Sequence, residues 1–435
     1  MPTPSLILVP ARFKTGKLYT PLATTSGGVV LGVSGDFNVT RATTATRFNS
    51  AGLIESVASG VPRLDYYTSG GTAGCPALLV EPSGTNVVVQ SQNWLASGWR
   101  DDATANVTTV TAATGTIDPL GTNTANAISP TSGDVTHLKV GSENSASFTG
   151  STVYTSSAFF KQGTGNAGRY VQLTYPAARF SQNGFANFDL QAGAVVASGG
   201  TADTNRAARI ENYGNGWYRC SFTATCTSTG TENGFTAVLI TASGDTRAKP
   251  FAGTITDVLY GWGAQTETGS VATSYIPTTT ASATRNAEVI NLSGAVSGCI
   301  GQTEGTIYAE VDFKQSPNAR RVFGVSDGTA TNRLAISISL NSFRIVKDAS
   351  TALLPTAAIT AGMHKMAVSY NASEIIFYFD GVQVGTSATS GSGTYFQINV
   401  GSTETNTAFY GGPIRSAALY TTRLTDAQLQ ALTTL

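Results

Sequence analysis

Apolar and polar residues alternate along most of the chain, and a period of two is typical of β-strands with one buried face. The alternation is most regular over residues 301–435, in the segments 305–314 and 333–340. We therefore predict an antiparallel β-sandwich over 301–435. The residues expected to face its interior are Ile307, Ala309, Val311, Phe313, Leu334, Ile336, Ile338 and Leu340.

The same region contains a predicted hairpin and a predicted helix. Asp380-Gly381 separates two apolar strands in "EIIFYFDGVQVGT" and suits the positive φ values of a two-residue type I′ turn. Near the C-terminus, Thr425 and Gln428 have the spacing of a capping box, and Leu424 and Leu429 have the spacing of a hydrophobic staple. We predict one short helix at this end of the chain.

Residues 91–280 contain further alternating segments, separated by turns that include glycine or asparagine. A jelly roll of about eight antiparallel strands would close such a segment into a second sandwich. The strand candidates are "TVYTSSAFFK", "RYVQLTY", "GFANFDL", "WYRCSFTA", "GFTAVLI" and "TDVLYGWGAQ".

Residues 1–90 lack long alternation, and prolines limit the length of any strand there. We predict an extended, β-rich arm that packs on a partner or on the following domain. Residues 281–300 are predicted to be a linker after Pro277. The fold class is therefore all-β: an N-terminal arm and two antiparallel sandwiches.

Charge excludes some functions. Lys and Arg total 26, Asp and Glu total 26, and only 12% of residues are charged. No basic run occurs, whereas a nucleic-acid-binding protein normally carries one, so no nucleic-acid partner is expected. No run of about 18 apolar residues occurs, so no membrane insertion is expected. The N-terminus also lacks the charge order of a Sec signal peptide.

Cysteine and histidine are scarce. Cys220 and Cys226 lie on one predicted strand, about 20 Å apart, which is too far for a disulfide. All four cysteines are expected to be buried, reduced thiols, as in a cytosolic protein. His137 and His364 fall in different predicted domains, and both are expected to be structural. We predict no cofactor.

Candidate catalytic and metal-binding residues are few. Glu310 and Asp312 share one strand face, as in glucanases that carry Glu-x-Asp-x-Glu on a lectin-like sandwich, but Lys314 takes the place of the second glutamate. We therefore expect no catalytic site. Asp327 and Asp380 are weak candidates for Ca²⁺, because each is also explained as a turn residue.

The segment "WGAQTETGSVATSYIPTTTASATR" (262–285) resembles a junction in virion proteins of tailed bacteriophages. "RATTATRFNSAGLIE", "PRLDYY" and "LLVEPSGTNVVVQSQNW" resemble an N-terminal arm of the same proteins. The C-terminal "MHKMAVSYN", "FYFDGVQV" and "LYTTRLTDAQLQAL" resemble laminin-G/concanavalin-like domains. The junction residues that follow the pattern include Trp262, Glu267, Tyr275, Pro277 and Arg285.

The resemblance implies a non-enzymatic tail or collar fibre on the virion surface, made in the host cytoplasm and released by lysis. Its partners would be other virion proteins, a host-surface glycan and two further copies of the chain in a trimer. The arm would dock on the particle, and outer loops of the C-terminal sandwich would bind the glycan. The alternatives are a head fibre or capsid-decorating protein, and a capsule depolymerase. The residues assigned to docking are Arg41, Arg47, Arg63 and Asp65.

Overall fold

A computed structural model describes the chain except for a few short segments and single residues. These are residues 1, 26–27, 32–34, 68–73, 101–107, 144, 182, 202, 204, 295, 314–319, 340–341 and 354–358. The fold is nearly all-β, as predicted, and its paired strands are antiparallel. Within the described residues, no helix is long and apolar enough to cross a membrane.

The strands of the first ninety residues are short. They are Leu6–Leu8 (β1), Phe13–Lys14 (β2), Lys17–Leu18 (β3), Leu22–Ala23 (β4), Phe37–Thr40 (β5), Ala45–Phe48 (β6), Ile54–Val57 (β7), Leu64–Asp65 (β8), Ala77–Val80 (β9) and Gly84–Asn86 (β10).

The middle of the chain contains longer strands and one single-turn helix. They are Trp99–Arg100 (β11), Thr108–Ala112 (β12), Asn126–Pro130 (β13), Asp134–Val135 (β14), Leu138–Gly141 (β15), Ala146–Phe148 (β16), Val153–Thr164 (β17), Asn166–Arg169 (α1), Tyr170–Thr174 (β18), Phe185–Asp189 (β19), Ala194–Gly199 (β20), Ala207–Asn212 (β21), Trp217–Thr225 (β22), Gly230–Glu232 (β23), Phe235–Ile240 (β24), Phe251–Ala252 (β25) and Val258–Thr268 (β26).

The C-terminal part also contains a 3₁₀ turn at Ser297–Cys299. Its other elements are Ala283–Arg285 (β27), Val289–Ser293 (β28), Gly305–Phe313 (β29), Arg320–Ser326 (β30), Arg333–Ser339 (β31), Ser342–Lys347 (β32), Ser350–Leu353 (β33), Gly362–Tyr370 (β34), Ile375–Phe379 (β35), Val382–Ser387 (β36), Gln397–Val400 (β37), Gly412–Tyr420 (β38) and Asp426–Thr433 (α2).

The middle strands form a sandwich of two six-stranded sheets, which we call the inserted sandwich. The strand orders are β11-β15-β24-β18-β19-β20 and β12-β13-β26-β17-β22-β21. A sandwich was predicted here, but with fewer strands, because short strands such as β11 leave little alternation to detect. Trp94 and Trp99 stack in its core with ring centroids 4.7 Å apart. Trp217 and Trp262 are also buried.

The C-terminal sandwich consists of two nine-stranded sheets. The first sheet has the order β36-β35-β34-β29-β38-β1-β4, with β9 and β8 added beside β38. The second sheet has the order β2-β3-β5-β28-β37-β30-β31-β32-β33. The predicted inward residues of β29 and β31 lie in the core between them, as expected. Leu340 falls outside the described residues.

The local predictions for this sandwich are confirmed. Asp380 and Gly381 have φ values of 47° and 81° and connect the paired strands β35 and β36. Thr425 and Gln428 form the capping box of α2. Leu424 and Leu429 are buried together with aromatic residues on the outer face of the first sheet, so α2 covers that face.

The first ninety residues do not form a separate arm. Strand β1 pairs with β38, β9 pairs with β38, and β5 pairs with β28, so these strands complete both sheets of the C-terminal sandwich. Leu6 and Leu78 are fully buried in its core. The inserted sandwich therefore interrupts one domain, where the sequence suggested a linear order of arm and two domains. Local patterning cannot show a pairing between strands separated by hundreds of residues.

The predicted linker over 281–300 also contains paired strands. Strand β27 pairs with β10, and β28 lies between β5 and β37 in the second sheet. Both strands are short, which explains why the sequence suggested a linker. This stretch is the return of the chain from the inserted sandwich into the C-terminal sandwich.

The cysteines are free thiols, as expected. Cys220, Cys226 and Cys299 are buried, but Cys75 is exposed, which corrects the expectation that all four are buried. Burial raises the pKa of the Cys299 thiol to about 11. The three buried thiols therefore act as small apolar side chains.

The first ninety residues should contribute directly to the stability of the C-terminal sandwich. Leu78→Ala removes a fully buried side chain from its core and should lower the free energy of unfolding by about 2–5 kcal/mol. Val29→Ala, at a residue that is 62% exposed, is the control and should change it little. Urea denaturation measures both. If both substitutions lower the free energy of unfolding by equally small amounts, the first ninety residues do not share the core.

Candidate functional site

A buried ionic network lies where the chain leaves and re-enters the C-terminal sandwich. It consists of Arg41, Arg63, Glu81, Arg285 and Glu288. These residues come from the ends of β5, β9 and β27 and from the residues before β8 and β28. The Arg63 guanidinium lies 2.6 Å from the Glu288 carboxylate and 2.8 Å from that of Glu81. Arg41 lies 3.1 Å from Glu288, and Arg285 lies 3.0 Å from Glu81.

Burial sets the electrostatics of this network. The side chains of Arg41, Arg63 and Glu288 have no exposed surface. Burial alone would raise the pKa of Glu81, but Arg285 and Arg63 outweigh it and hold this pKa far below the usual value of 4.5. Burial likewise opposes the charge on Arg63, yet Glu288 and Glu81 raise its pKa. Glu81 and Arg63 are therefore both charged at neutral pH.

The junction motif packs beside this network. The Glu267 carboxylate accepts hydrogen bonds from the backbone N–H of Thr273 (2.8 Å) and from its hydroxyl (2.7 Å). Burial raises the pKa of Glu267. The Tyr275 ring packs on Trp262 with centroids 4.8 Å apart. Pro277 is exposed. Arg285 connects this motif to the first ninety residues through its ion pair with Glu81.

The residues assigned to particle docking make their contacts inside the chain instead. Arg41 and Arg63 belong to the ionic network, and the Asp65 carboxylate accepts the backbone N–H of Phe48 at 2.7 Å. Arg47 is partly exposed and pairs with Glu55 at 2.6 Å. The burial of Arg41, Arg63 and Asp65 leaves these three side chains no surface for a partner, which corrects their predicted role.

The exposed apolar residues of the N-terminal part lie elsewhere. Val9, Val29 and Val30 are exposed, and Val9 and Val30 border a depression of about 590 Å³. Tyr19 also lines it, below the guanidinium of Arg12 at 5.9 Å from the ring centroid. Unlike the buried arginines, these residues are accessible at the surface.

The outer face of the second sheet is polar. Asn38, Asn291 and Asn399 are paired in register across β5, β28 and β37, opposite to the apolar residues that face the core. Asn38 is exposed and Asn291 is half-buried. A loop, residues 401–409, lies on the same face. The side chain of Asn399 donates to the Thr403 carbonyl of this loop at 3.3 Å.

Farther along this face, small residues form the floor and arginines surround it. Ala335 and Ser337 of β31 face away from the core but are buried. Arg321 of β30 and Arg344 of β32 both pair in register with Ser337. Arg333 lies at the start of β31 and forms an ion pair with Glu404 of the loop. Amide and guanidinium side chains on this face can donate hydrogen bonds to sugar hydroxyls and to anions.

The predicted carboxylate pair lies on the outer face of the first sheet. Glu310 accepts a hydrogen bond from the Ser416 hydroxyl at 3.1 Å. Asp312 lines a cavity of about 440 Å³ between the two sandwiches, together with Glu211 and Tyr218. Lys314, which replaces the second glutamate of the glucanase pattern, lies outside the described residues. The two predicted carboxylates thus have different surroundings.

The weak Ca²⁺ candidates are both turn residues. Asp327 accepts hydrogen bonds from the backbone N–H (2.8 Å) and hydroxyl (2.6 Å) of Thr329. Asp380 accepts from the Lys365 backbone and contacts Nδ1 of His364 at 2.7 Å. Within the described part of the chain, no three His, Cys, Asp or Glu residues are grouped as metal ligands. His364 also contacts the Thr360 carbonyl, which fits a structural role.

A family comparison identifies the C-terminal part. Residues 286–430, about a third of the chain, match the laminin-G type of the concanavalin A-like lectin/glucanases superfamily. These residues form a concanavalin A-like lectin domain. The structure adds strands from the first ninety residues to this domain, and we call the whole the lectin-like sandwich. No match is found among curated proteins.

Solved structures of similar fold include the CBM40 of Ruminococcus gnavus IT-sialidase bound to α2,3-sialyllactose. It is 16% identical, with 31% of this chain and 84% of that chain covered and a TM-score of 0.28. A SAP-like pentraxin from Limulus polyphemus is 12% identical, with 29% and 68% covered and a TM-score of 0.24. A botulinum neurotoxin serotype D/C binding domain is 9% identical, with 34% and 40% covered and a TM-score of 0.28.

Sequence reasoning missed the arginines around Ser337. The alternation of β31 places Ala335 and Ser337 on the outer face, and Arg321 and Arg344 are visible in the neighbouring segments. Their meeting depends on the register of three strands, which the sequence pattern does not specify. The sequence did contain one signal for this cluster: several arginines and small residues occupy positions predicted to face away from the core in neighbouring segments.

The ionic network should make stability depend on Glu81. Glu81→Gln removes the negative charge that pairs with Arg285 and Arg63 in the buried network. The free energy of unfolding at pH 7 should therefore fall by about 3–5 kcal/mol. The folded-state pKa of Glu81 lies below its unfolded value, so its contribution is present above about pH 4.5 and is lost as the pH falls below that. The difference between wild type and variant, measured by urea denaturation, should therefore shrink in acid.

The control is Glu55→Gln, the same substitution in the partly exposed pair with Arg47. This substitution should lower the free energy of unfolding by no more than about 1 kcal/mol. A Glu81→Gln variant as stable as the Glu55→Gln variant at pH 7 would show that the network does not hold the two parts of the chain together.

Proposed function

We propose that the protein is a non-enzymatic virion component of a tailed bacteriophage, a tail or collar fibre that attaches to a host-surface glycan. The lectin domain of residues 286–430 supports glycan binding. The arm and junction motifs described above support the virion assignment. The protein would be made in the host cytoplasm, released by lysis and displayed on the particle surface.

The observation that carries the binding role is the difference between the two outer faces of the lectin-like sandwich. Helix α2 and an aromatic cluster cover part of the outer face of the first sheet. The outer face of the second sheet presents amides, hydroxyls and guanidinium groups in register across its strands. Such donors and acceptors recognise sugar hydroxyls, and rigid strands hold them at fixed spacing. We assign glycan binding to this face.

Docking on the particle and assembly into a trimer are parts of the same proposal. The ionic network uses two of the three arginines first assigned to docking, so the exposed surface around Val9, Val29 and Val30 is the better candidate for virion partners. The edge strands of the two nine-stranded sheets are further places where copies of the chain can meet.

A capsule depolymerase is the alternative favoured by one observation, the cavity that contains Asp312 and Glu211 between the sandwiches. Glycosidases use two carboxyl groups on either side of the scissile bond. New reducing ends after incubation with host polysaccharide, lost in Asp312→Asn, would support this alternative.

Binding to host cells tests the main proposal. The full-length protein should bind them saturably, and soluble surface glycan should compete. Asn291→Ala on the second sheet should weaken this binding about two- to tenfold, because it removes hydrogen bonds to the glycan. Gln383→Ala, on an exposed position of β36 in the first sheet, is the matched control and should bind as wild type does.

Absence of saturable binding to cells and to glycans would contradict glycan attachment and favour a head fibre or capsid-decorating protein. Equal binding by the two variants, with wild-type affinity, would place the glycan elsewhere on the chain.

A further inference from the structure

Two arginines on the outer face of the second sheet lie side by side across one strand. Arg321 and Arg344 pair in register with Ser337 from opposite sides, so all three side chains project from the same face. Ser337 is fully buried, although it faces away from the core. The long side chains next to it therefore lie over the small residues of β31 instead of extending into solvent.

These two guanidinium groups have no anionic partner of their own. Among the described residues, Arg321 and Arg344 have no side-chain hydrogen bond or ion pair, and the Nε–H of each is buried without an acceptor. Arg321 is only 8% exposed. The nearby carboxylate of Glu404 is already paired with Arg333, which also donates to the Asp348 carbonyl at 2.7 Å.

The rest of the chain near these residues does not supply the missing charge. The neighbouring segments 314–319, 340–341 and 354–358 contain no Asp or Glu in the sequence. Burial, and then the positive charge of Arg333, lowers the pKa of Arg321 to about 10. Two carboxylates lie near this cluster, and both are already paired: Glu404 with Arg333 and Asp348 with Lys347.

A buried, uncompensated cation is unfavourable for folding, because a charge that leaves water needs a partner. Positions that break this rule in a stable fold are expected at sites that receive a ligand. Guanidinium groups present planar pairs of donors that match the oxygens of carboxylate, sulfate and phosphate groups.

We propose that Arg321 and Arg344 bind the anionic group of an acidic saccharide. This inference rests on the proposed glycan-binding function and narrows it, since a neutral sugar would leave both arginines without a counter-charge. The carboxylate, sulfate or phosphate group would contact both guanidinium groups, which project from the same face of neighbouring strands.

The test is a binding titration of the full-length protein with matched pairs of saccharides, alongside the host-cell assay. One pair is oligogalacturonate and its methyl ester, which differ only in the carboxylate charge. A second pair is sulfated and unsulfated dextran, and a third is phosphorylated and unphosphorylated mannan. At least one acidic member should bind about tenfold or more tightly than its neutral counterpart, with an affinity that falls as salt rises.

Arg321→Met and Arg344→Gln should each reduce this acidic binding by about tenfold or more. Arg321→Met should at the same time keep or raise the melting temperature, because it removes an unpaired buried charge, so loss of binding will not reflect unfolding. Arg344 is more exposed, and Arg344→Gln provides a second variant with little effect on folding. The control is Arg423→Met, which removes the same charge from the partly exposed pair with Glu374.

The outcomes separate this inference from the proposed function. Saturable binding to host cells or neutral sugars, without preference for any acidic member, would overturn the acidic ligand and leave glycan attachment intact. Acidic binding that survives both substitutions, or that Arg423→Met reduces equally, would also overturn it. Binding to neither cells nor any saccharide would overturn both.

Discussion

The ion pair between Arg63 and Glu288 joins residues 225 positions apart, and neither side chain has exposed surface. Transfer of two charges from water into a protein costs several kcal/mol per ion unless each meets its partner in good geometry. Glu81, Arg285 and Arg41 complete the network and bring their own segments to the same place. The chain can satisfy these charges only when the strands before and after the inserted sandwich come together.

This constraint explains how one lectin-like sandwich is built from two separate parts of the chain. Strands β1 and β9 flank β38 from the same side, and their apolar residues share its core. The hairpin of β6 and β7 then packs Phe48 and Ile54 against aromatic residues on the inserted sandwich. The two sandwiches keep separate main cores and meet through this third apolar cluster and the ionic network.

The sequence predicted local features well, because their causes are local. The alternation of β29, the Asp380-Gly381 turn and the Thr425 capping box depend on residues only a few positions apart. The role of residues 1–90 depends on pairing with β28 and β38, hundreds of residues later, and short proline-limited strands gave no sign of it. Likewise, the outward position of Ser337 was predictable, but its arginine neighbours on β30 and β32 required the strand register. The sequence shows that Arg41 and Arg63 are charged, but not that they are buried. Burial decides the role of these two side chains, and it is a property of the assembled fold.

The architecture also assigns different tasks to the two outer faces of the lectin-like sandwich. Helix α2 seals the first sheet, so its outer aromatic residues add to stability. The second sheet keeps polar groups at its surface and places Arg321 and Arg344 where the fold itself does not neutralise them. The proposed glycan-binding face would have a rigid support in the paired strands β30, β31 and β32 of the second sheet.

Native-state hydrogen exchange tests the central claim, that the first ninety residues are part of the lectin-like sandwich, most directly. Amide groups of Leu6–Leu8 and Ala77–Val80 should exchange with the same free energy of opening as those of Gly412–Tyr420, because they belong to one cooperative unit. Exchange of the N-terminal strands at a free energy several kcal/mol lower, as expected for a detachable arm, would contradict it.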